Sequence, residues 1–99
     1  MTEPLSPEQF SAHLDKRFAV RGGRHVLTLA EIDIAVLGAA QRSAVPRQPF
    51  TLIFHGPRGD LLPEGLYTFE VEGGPSFELY VIPVHTTVAD RQDYQAVFN

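Results

Sequence analysis

The first apolar residues of the chain recur at four-residue spacing. Phe10, Leu14 and Phe18 would lie on one face of a helix, with polar residues between them. Ser6 followed by a proline, with a glutamine three residues further on, is a typical helix start with a capping box. The pattern predicts a helix over about residues 7–17. Because so short a helix is marginal in isolation, we expect it to pack on the rest of the fold.

Beyond this helix the apolar residues recur at every second position, as in strands with one buried face. Gly22 and Gly23 separate the first two such segments and suit a two-residue hairpin turn. Gly73 and Gly74 separate a later pair in the same way, and residues 55–60 have turn composition. The predicted strands are 18–21, 25–29 with an alternation that continues over 32–34, 50–54, 66–72, 77–82 and 94–98.

Three places interrupt this simple pattern. Residues 35–40 fit a strand or a helix equally well by propensity. Residues 41–49 are polar and contain two prolines, which predicts a loop. Pro83 cannot donate to a sheet ladder, so it indicates an edge, a bulge or a bend.

The order of these elements predicts the fold class. No connection between strands is long enough for the helical crossovers that a parallel sheet needs, so the strands should be antiparallel. An open sheet would leave two edges exposed, whereas closure into a barrel removes them. We predict a mainly β, single domain over residues 1–99, with the helix at about 7–17. About five or six strands over 18–98 would form a small, strongly bent barrel of the Sm-like or SH3-like kind.

Composition narrows the chemistry and the location. The chain of 99 residues has no cysteine, which excludes a disulfide framework, a thiol nucleophile and an iron–sulfur cluster. Its apolar runs are far shorter than the roughly 20 residues of a membrane helix, so we expect no membrane partner. The N-terminus lacks the features of a secretory signal, which makes the cytoplasm the expected location.

The net charge of −4 conceals an asymmetry between the two halves. The first 49 residues hold six basic and five acidic side chains, and the remaining residues hold two and seven. Lys16 and Arg17 would end the predicted helix, while Arg21 and Arg24 would flank the first hairpin turn, with His25 beside them. This basic cluster is the candidate contact site for a nucleic acid or another anion.

A search for catalytic and metal-binding motifs returns none. No serine lies in a G-x-S-x-G elbow, and no segment has the sequence of a phosphate-binding loop. No H-x-x-x-H or H-E-x-x-H motif is present, and neither metal nor cofactor is expected. We expect the histidines to lie at the surface or the rim of the fold: His13, His25, His55 and His85.

Two further groups of side chains are candidates for metal binding or catalysis. Glu70, Glu72 and Glu78 concentrate carboxylates in the second predicted hairpin, but without the turn pattern of a calcium loop they indicate a solvated outer sheet face. A small enzyme using His55 and a carboxylate is a third possibility. It would require the two groups to lie within about 3 Å of each other.

Four short motifs in the second half occur in a distinctive order. They are Phe-His-Gly-Pro at 54–57, Leu-Pro-Glu-Gly-Leu-Tyr at 62–67, an apolar strand ending in Val-Ile-Pro at 81–83, and Tyr-Gln-Ala-Val-Phe-Asn at 94–99. Together they resemble a family of small bacterial proteins of unknown function, over about residues 50–99. The resemblance transfers no catalytic residue, and it favours a role in assembly or interaction.

The sequence therefore predicts a non-enzymatic structural or protein-interaction module. Self-association is expected through an exposed barrel edge near Pro83 or the last strand. The alternative is an Sm-like RNA-binding protein that uses Lys16, Arg17, Arg21 and Arg24. The acidic balance, the missing I-R-G signature of Sm proteins and the alternation of aromatic residues into the core argue against that alternative.

Overall fold

In the computed structural model, which describes residues 5–34, 49–86 and 88–98, six antiparallel strands close into a barrel. The strand order is β1-β2-β3-β6-β5-β4, and β4 pairs back onto β1. The mainly β barrel with a preceding helix is confirmed, while its likeness to Sm-like or SH3-like barrels stays a prediction. The elements are α1 (Pro7–Ser11), β1 (Arg17–Val20), β2 (Val26–Ile34), β3 (Phe50–Pro57), β4 (Gly65–Val71), β5 (Ser76–Val84) and β6 (Arg91–Phe98).

Helix α1 begins where the sequence predicted it. Pro7 is its first residue, and the Ser6 backbone N–H donates to Oε1 of Gln9 at 2.7 Å, one half of the expected capping box. The helix ends at Ser11, however, so the predicted extent of about 7–17 is wrong. Within the described ranges, no helix has both the length and the apolar character needed to cross a membrane.

The turn after α1 explains its early end. Asp15 has a φ of 67°, a value that a right-handed helix does not allow. Its N–H donates to the carbonyl of Leu29 at 2.7 Å, and the carbonyl of Lys16 accepts from the Leu29 N–H at 3.2 Å. The chain has thus joined β2 before the predicted helix would have ended. Leu14 is exposed in this turn, although the helical pattern placed it on the buried face.

Alternate residues of the strands fill the barrel interior. Phe18 on β1 and Phe54 on β3 are fully buried, with ring centroids 5.2 Å apart. Phe10 of α1 reaches the same core and lies 4.6 Å from the ring of Phe77 and 6.0 Å from that of Phe98. The short helix is therefore held by burial of this ring, as expected of a helix that is marginal alone.

Strands β3, β5 and β6 are longer than the alternation indicated. Both predicted hairpins are present, with φ values of 77° at Gly22 and 70° at Gly73. The first turn is wider than the predicted two residues, because β1 ends at Val20 and β2 begins at Val26. Strand β2 continues to Ile34, with a shift of register between Leu29 and Glu31. Strand β6 starts at residue 91 instead of 94. The predictions for residues 35–40 and 41–48 lie outside the described residues.

The turn predicted at 55–60 is only partly correct, because β3 continues through it to residue 57. Gly56 is paired within the sheet, and a Cβ atom there would lie 2.7 Å from Cδ2 of Leu27 and 3.1 Å from Cε1 of Tyr94. Glycine is required at this position for close packing and not for a turn. The turn follows at Arg58 and Gly59, where Gly59 has a φ of 90°.

Strand β5 changes its pairing partner just before Pro83. Up to Val81 it pairs with β4, and from Ile82 it pairs with β6, where Pro83 lies opposite Tyr94. Pro83 lies within β5 where the strand has changed partner, and the predicted bulge or bend stays a prediction. The exposed edge predicted near this residue is wrong, because the strand exchanges one partner for another and the barrel stays closed.

Candidate functional site

The basic cluster predicted from the sequence lies beside carboxylates of the second half of the chain. Lys16 and Arg17 do not end a helix, since Arg17 is the first residue of β1. Pairing of β1 with β4 places Arg21 near Glu70, and its Nη2 lies 3.4 Å from Glu70 Oε2. The same nitrogen donates to Oγ of Ser76 at 3.4 Å.

A second ion pair holds the hairpin turn. Nη2 of Arg24 donates to Oδ1 of Asp60 at 2.6 Å, and Nε2 of His25 lies 3.4 Å from the same oxygen. The Arg24 guanidinium beside Asp60 holds the pKa of that carboxyl below its ordinary value, and His25 acts in the same direction. Exposed pairs of this kind contribute little to stability. They do engage the basic side chain that an anionic ligand would otherwise contact.

A shallow groove of about 580 Å³ runs between β2, β1 and β4, and its charges are mixed. Arg17 lines it together with Glu70 and Glu72, so its charged lining residues are one basic and two acidic. The remaining lining residues are Ala19, Val26, Thr28 and Val71. Contact of Lys16, Arg17, Arg21 and Arg24 with a nucleic acid or another anion stays a prediction, and the neighbouring carboxylates oppose it.

The histidine and carboxylate expected of a small enzyme lie apart. Nε2 of His55 is 3.8 Å from Oδ1 of Asp93, which is beyond the distance of about 3 Å that proton transfer requires. Arg91 holds the same carboxylate, with Nε donating to Oδ1 at 2.7 Å. In the described part of the chain, no group of three or more histidine and carboxylate side chains is placed to hold a metal ion.

The outer surface of β3, β5 and β6 carries several apolar side chains that the sequence pattern did not single out. The strand register aligns Ile53, Gln95 and Ile82 in one outward row across the three strands. Tyr80 precedes Ile82 on the same side of β5 and lies opposite Leu66 of β4. We call this surface the β5–β6 apolar face and define it by Ile53, Leu66, Tyr80, Ile82 and Val97.

Three of the five side chains of this face are exposed, while Ile53 and Ile82 are partly buried. Leu66 is 59% exposed, Tyr80 49% and Val97 48%. Single exposed apolar residues are ordinary, but contiguous ones mark interaction surfaces. The signal in the sequence was the run from Phe77 to Val84, in which apolar residues occupy outward as well as inward positions.

Carboxylates border the β5–β6 apolar face. Glu31 lies opposite Ile53 in the register of β2 and β3, and Asp33 lies opposite Thr51. Glu64 accepts a hydrogen bond from the Tyr80 hydroxyl, which raises the pKa of that phenol. Glu78 is exposed on the outward side of β5. We call these residues the acidic border: Glu31, Asp33, Glu64 and Glu78.

The glutamates predicted to form a solvated outer face are all exposed, but they divide between two surfaces. Glu70 and Glu72 line the groove beside Arg17. Glu78 lies opposite Thr68 in the hairpin and belongs to the acidic border.

The described residues form a small antiparallel β-barrel with exposed side chains on its outer faces. A model of the family described as a domain of unknown function (DUF6916) matches residues 5–98. The chain belongs to this family, in agreement with the resemblance to a family of unknown function. No curated protein and no solved structure matches the chain.

Proposed function

We propose that this protein is a non-enzymatic protein-interaction module that docks a partner on the β5–β6 apolar face. The observation that carries the proposal is the adjacency of Leu66, Tyr80 and Ile82 on the outer surface of β4 and β5, with Ile53 in the same outward row beyond Gln95. Burial of apolar surface contributes about 25 cal/mol per Å², so a partner that covers this face gains binding free energy. Tyrosine is also one of the residue types enriched at the centres of protein interfaces.

Two further observations favour a contact surface over catalysis. The groove near Arg17 is shallow, and its charged residues are of both signs. The separation of 3.8 Å between His55 and Asp93 leaves that pair without the direct hydrogen bond of an acid and base. Both observations are compatible with partner binding by the exposed apolar residues.

RNA binding through the basic cluster is the alternative from the sequence, and no geometric feature favours it. The guanidinium groups of Arg21 and Arg24 already contact Glu70 and Asp60. Filter binding of oligo(U) and of duplex RNA at low salt tests it directly. Retention at micromolar protein that is lost in Arg17→Ala would establish the alternative.

The test of the proposed function compares three proteins. The variant Leu66→Ser with Tyr80→Ser removes two exposed side chains of the face. Val26→Ser removes an apolar side chain that is 41% exposed but lines the groove on β2, and it serves as the matched control. Circular dichroism spectra and unfolding curves establish that all three fold.

Each protein is immobilised and exposed to an extract of the source cells, and every retained protein is purified and tested for direct binding. We expect a partner that binds wild type and Val26→Ser but loses about tenfold or more in affinity for the double variant. If every retained protein binds the three forms equally, the β5–β6 apolar face is not the interaction site.

A further inference from the structure

We propose that the partner on the β5–β6 apolar face is a positively charged protein segment, with apolar side chains at its centre and Lys or Arg at its margins. This inference rests on the proposed function and adds the chemistry of the partner. The apolar face sets the centre of the contact, and the acidic border sets its margins. Complementary charge at the margin of an interface selects the partner and accelerates association.

Two arginines of the described part of the chain, Arg21 directly after β1 and Arg91 on β6, are bound to side chains outside the acidic border. Arg21 lies beside Thr68 on β4, but its guanidinium turns to Glu70 and Ser76. Arg91 shares the outward side of β6 and is bound to Asp93 through both Nε and Nη2. Among the described residues, neither arginine contacts a residue of the border, and the border therefore presents acidic side chains beside the apolar face.

The same border disfavours a second copy of this chain as the occupant. A two-fold interface would place the face of one protomer on the face of the other. Each acidic border would then meet its counterpart, and like charges brought together at an interface oppose association. Self-association through this face is therefore weaker than binding of a basic segment.

Anionic ligands are disfavoured for the same reason. A nucleic acid or an acidic lipid surface would approach Leu66 and Tyr80 across Glu64 and Glu78. Their phosphates would add to the negative charge already present. A basic protein segment satisfies both the apolar centre and the charged margin.

The probes for the test are three synthetic peptides of equal length, labelled for fluorescence anisotropy. The first is an amphipathic peptide of leucine and lysine, the second contains leucine and glutamate, and the third contains serine and lysine. We expect the leucine–lysine peptide to bind about tenfold or more tightly than either of the others. Added salt should weaken its binding, because the charges at the margin are exposed to solvent.

Variants of the protein separate the two parts of the surface. Glu31→Gln combined with Glu78→Gln removes two charges from the acidic border. Glu72→Gln combined with Asp90→Asn removes two exposed charges elsewhere and is the matched control. We expect the first pair to weaken binding of the leucine–lysine peptide by about fivefold to tenfold and to reduce its salt dependence. The control pair should leave both properties close to those of wild type.

The outcomes distinguish failure of this inference from failure of the proposed function. Equal binding of the leucine–lysine and leucine–glutamate peptides, lost in Leu66→Ser with Tyr80→Ser, would overturn the basic partner and retain the interaction site. Equal weakening by the border pair and the control pair would overturn the role of the acidic border. Peptide binding that the Leu66 and Tyr80 substitutions leave unchanged would overturn the proposed function itself. A dimer that forms through this face more tightly than it binds the leucine–lysine peptide would also overturn the basic partner.

Discussion

The inward side of the β4–β5 hairpin is apolar along its length, whereas the outward side is apolar at Leu66, Tyr80 and Ile82 and polar toward the turn. The two sets of apolar side chains differ in what covers them. Leu79 points inward and is 1% exposed, while Leu66 points outward and is 59% exposed. The inward side packs against the aromatic residues of the core, and the outward side meets solvent inside the acidic border. Apolar character on the inward side explains the fold, whereas the same character on the outward side calls for a partner.

Matched leucine substitutions give the largest expected contrast between the two sides. Leu79→Ala should lower the free energy of unfolding by about 2–5 kcal/mol, because it removes buried contacts and leaves a cavity. Leu66→Ala should change it by less than about 0.5 kcal/mol, since that side chain is already in water. Urea unfolding followed by circular dichroism measures both. A similar loss in the two variants would mean that the outward side is also part of the stabilising core.

Two tyrosine hydroxyls extend the comparison to polar groups. The buried Leu62 N–H donates to the hydroxyl of Tyr94 at 2.9 Å, so Tyr94→Phe leaves that N–H without its acceptor. We expect a loss of about 1–3 kcal/mol in unfolding free energy. Tyr67→Phe is the control. The exposed hydroxyl of Tyr67 donates to the carbonyl of Pro63, and in the variant a water molecule can donate to that carbonyl instead. Equal losses in the two variants would contradict the different burial of these bonds.

The ion pair between Arg24 and Asp60 should have a smaller effect on stability, and this effect should depend on pH. The pKa of Asp60 is lower in the folded chain than its ordinary value of 3.8. Its stabilising contribution is therefore present above that pH and is lost as the pH falls through the folded-state pKa. Asp60→Asn should be less stable than wild type near neutral pH, and the difference should disappear in acid. Asp90→Asn, which removes the charge of an exposed aspartate before β6, is the matched control, and equal pH profiles of the two variants would refute the assignment.

The smallest expected effect is spectroscopic and lies on the apolar face itself. The hydrogen bond that Tyr80 donates to Glu64 raises the pKa of the phenol above 10.0, so its stabilising contribution is lost as the pH rises beyond that value. Ultraviolet difference spectra between wild type and Tyr80→Phe isolate its titration from the other tyrosines. Glu64→Gln should lower the pKa of Tyr80 toward 10.0. An unchanged titration would place the Glu64 carboxylate away from the phenol in solution.

Local signals were sufficient for the parts of the fold that local chemistry determines. Ser6 and Pro7 predicted the start of α1, and the glycines at 22 and 73 predicted the hairpin turns. The end of α1 could not be predicted in this way, because it depends on hydrogen bonds between the Asp15–Lys16 backbone and Leu29. The role of Gly56 likewise depends on Leu27 and Tyr94, which reach it only in the folded barrel.

The candidate site was harder to predict for the same reason. A prediction from alternation assumes that the outer side of a strand is polar. It therefore does not distinguish the outward residues Tyr80 and Ile82 from their buried neighbours in the same apolar strand. Glu31 and Glu78 are far apart in the sequence, and only the pairing of the strands places both of them at the margin of the apolar face. The basic cluster was visible as a local run, but the carboxylates beside it come from β4 and from the turn after β3.

The central claim is that the β5–β6 apolar face, and not the basic cluster, is where this protein binds its partner. Chemical-shift mapping with the leucine–lysine peptide on isotope-labelled protein tests it most directly. The account predicts that the largest amide shifts occur at Leu66, Tyr80, Ile82 and Gln95, with little change at Arg21 and the turn that follows it. Shifts concentrated on the β1–β2 hairpin and absent from β5 and β6 would contradict it.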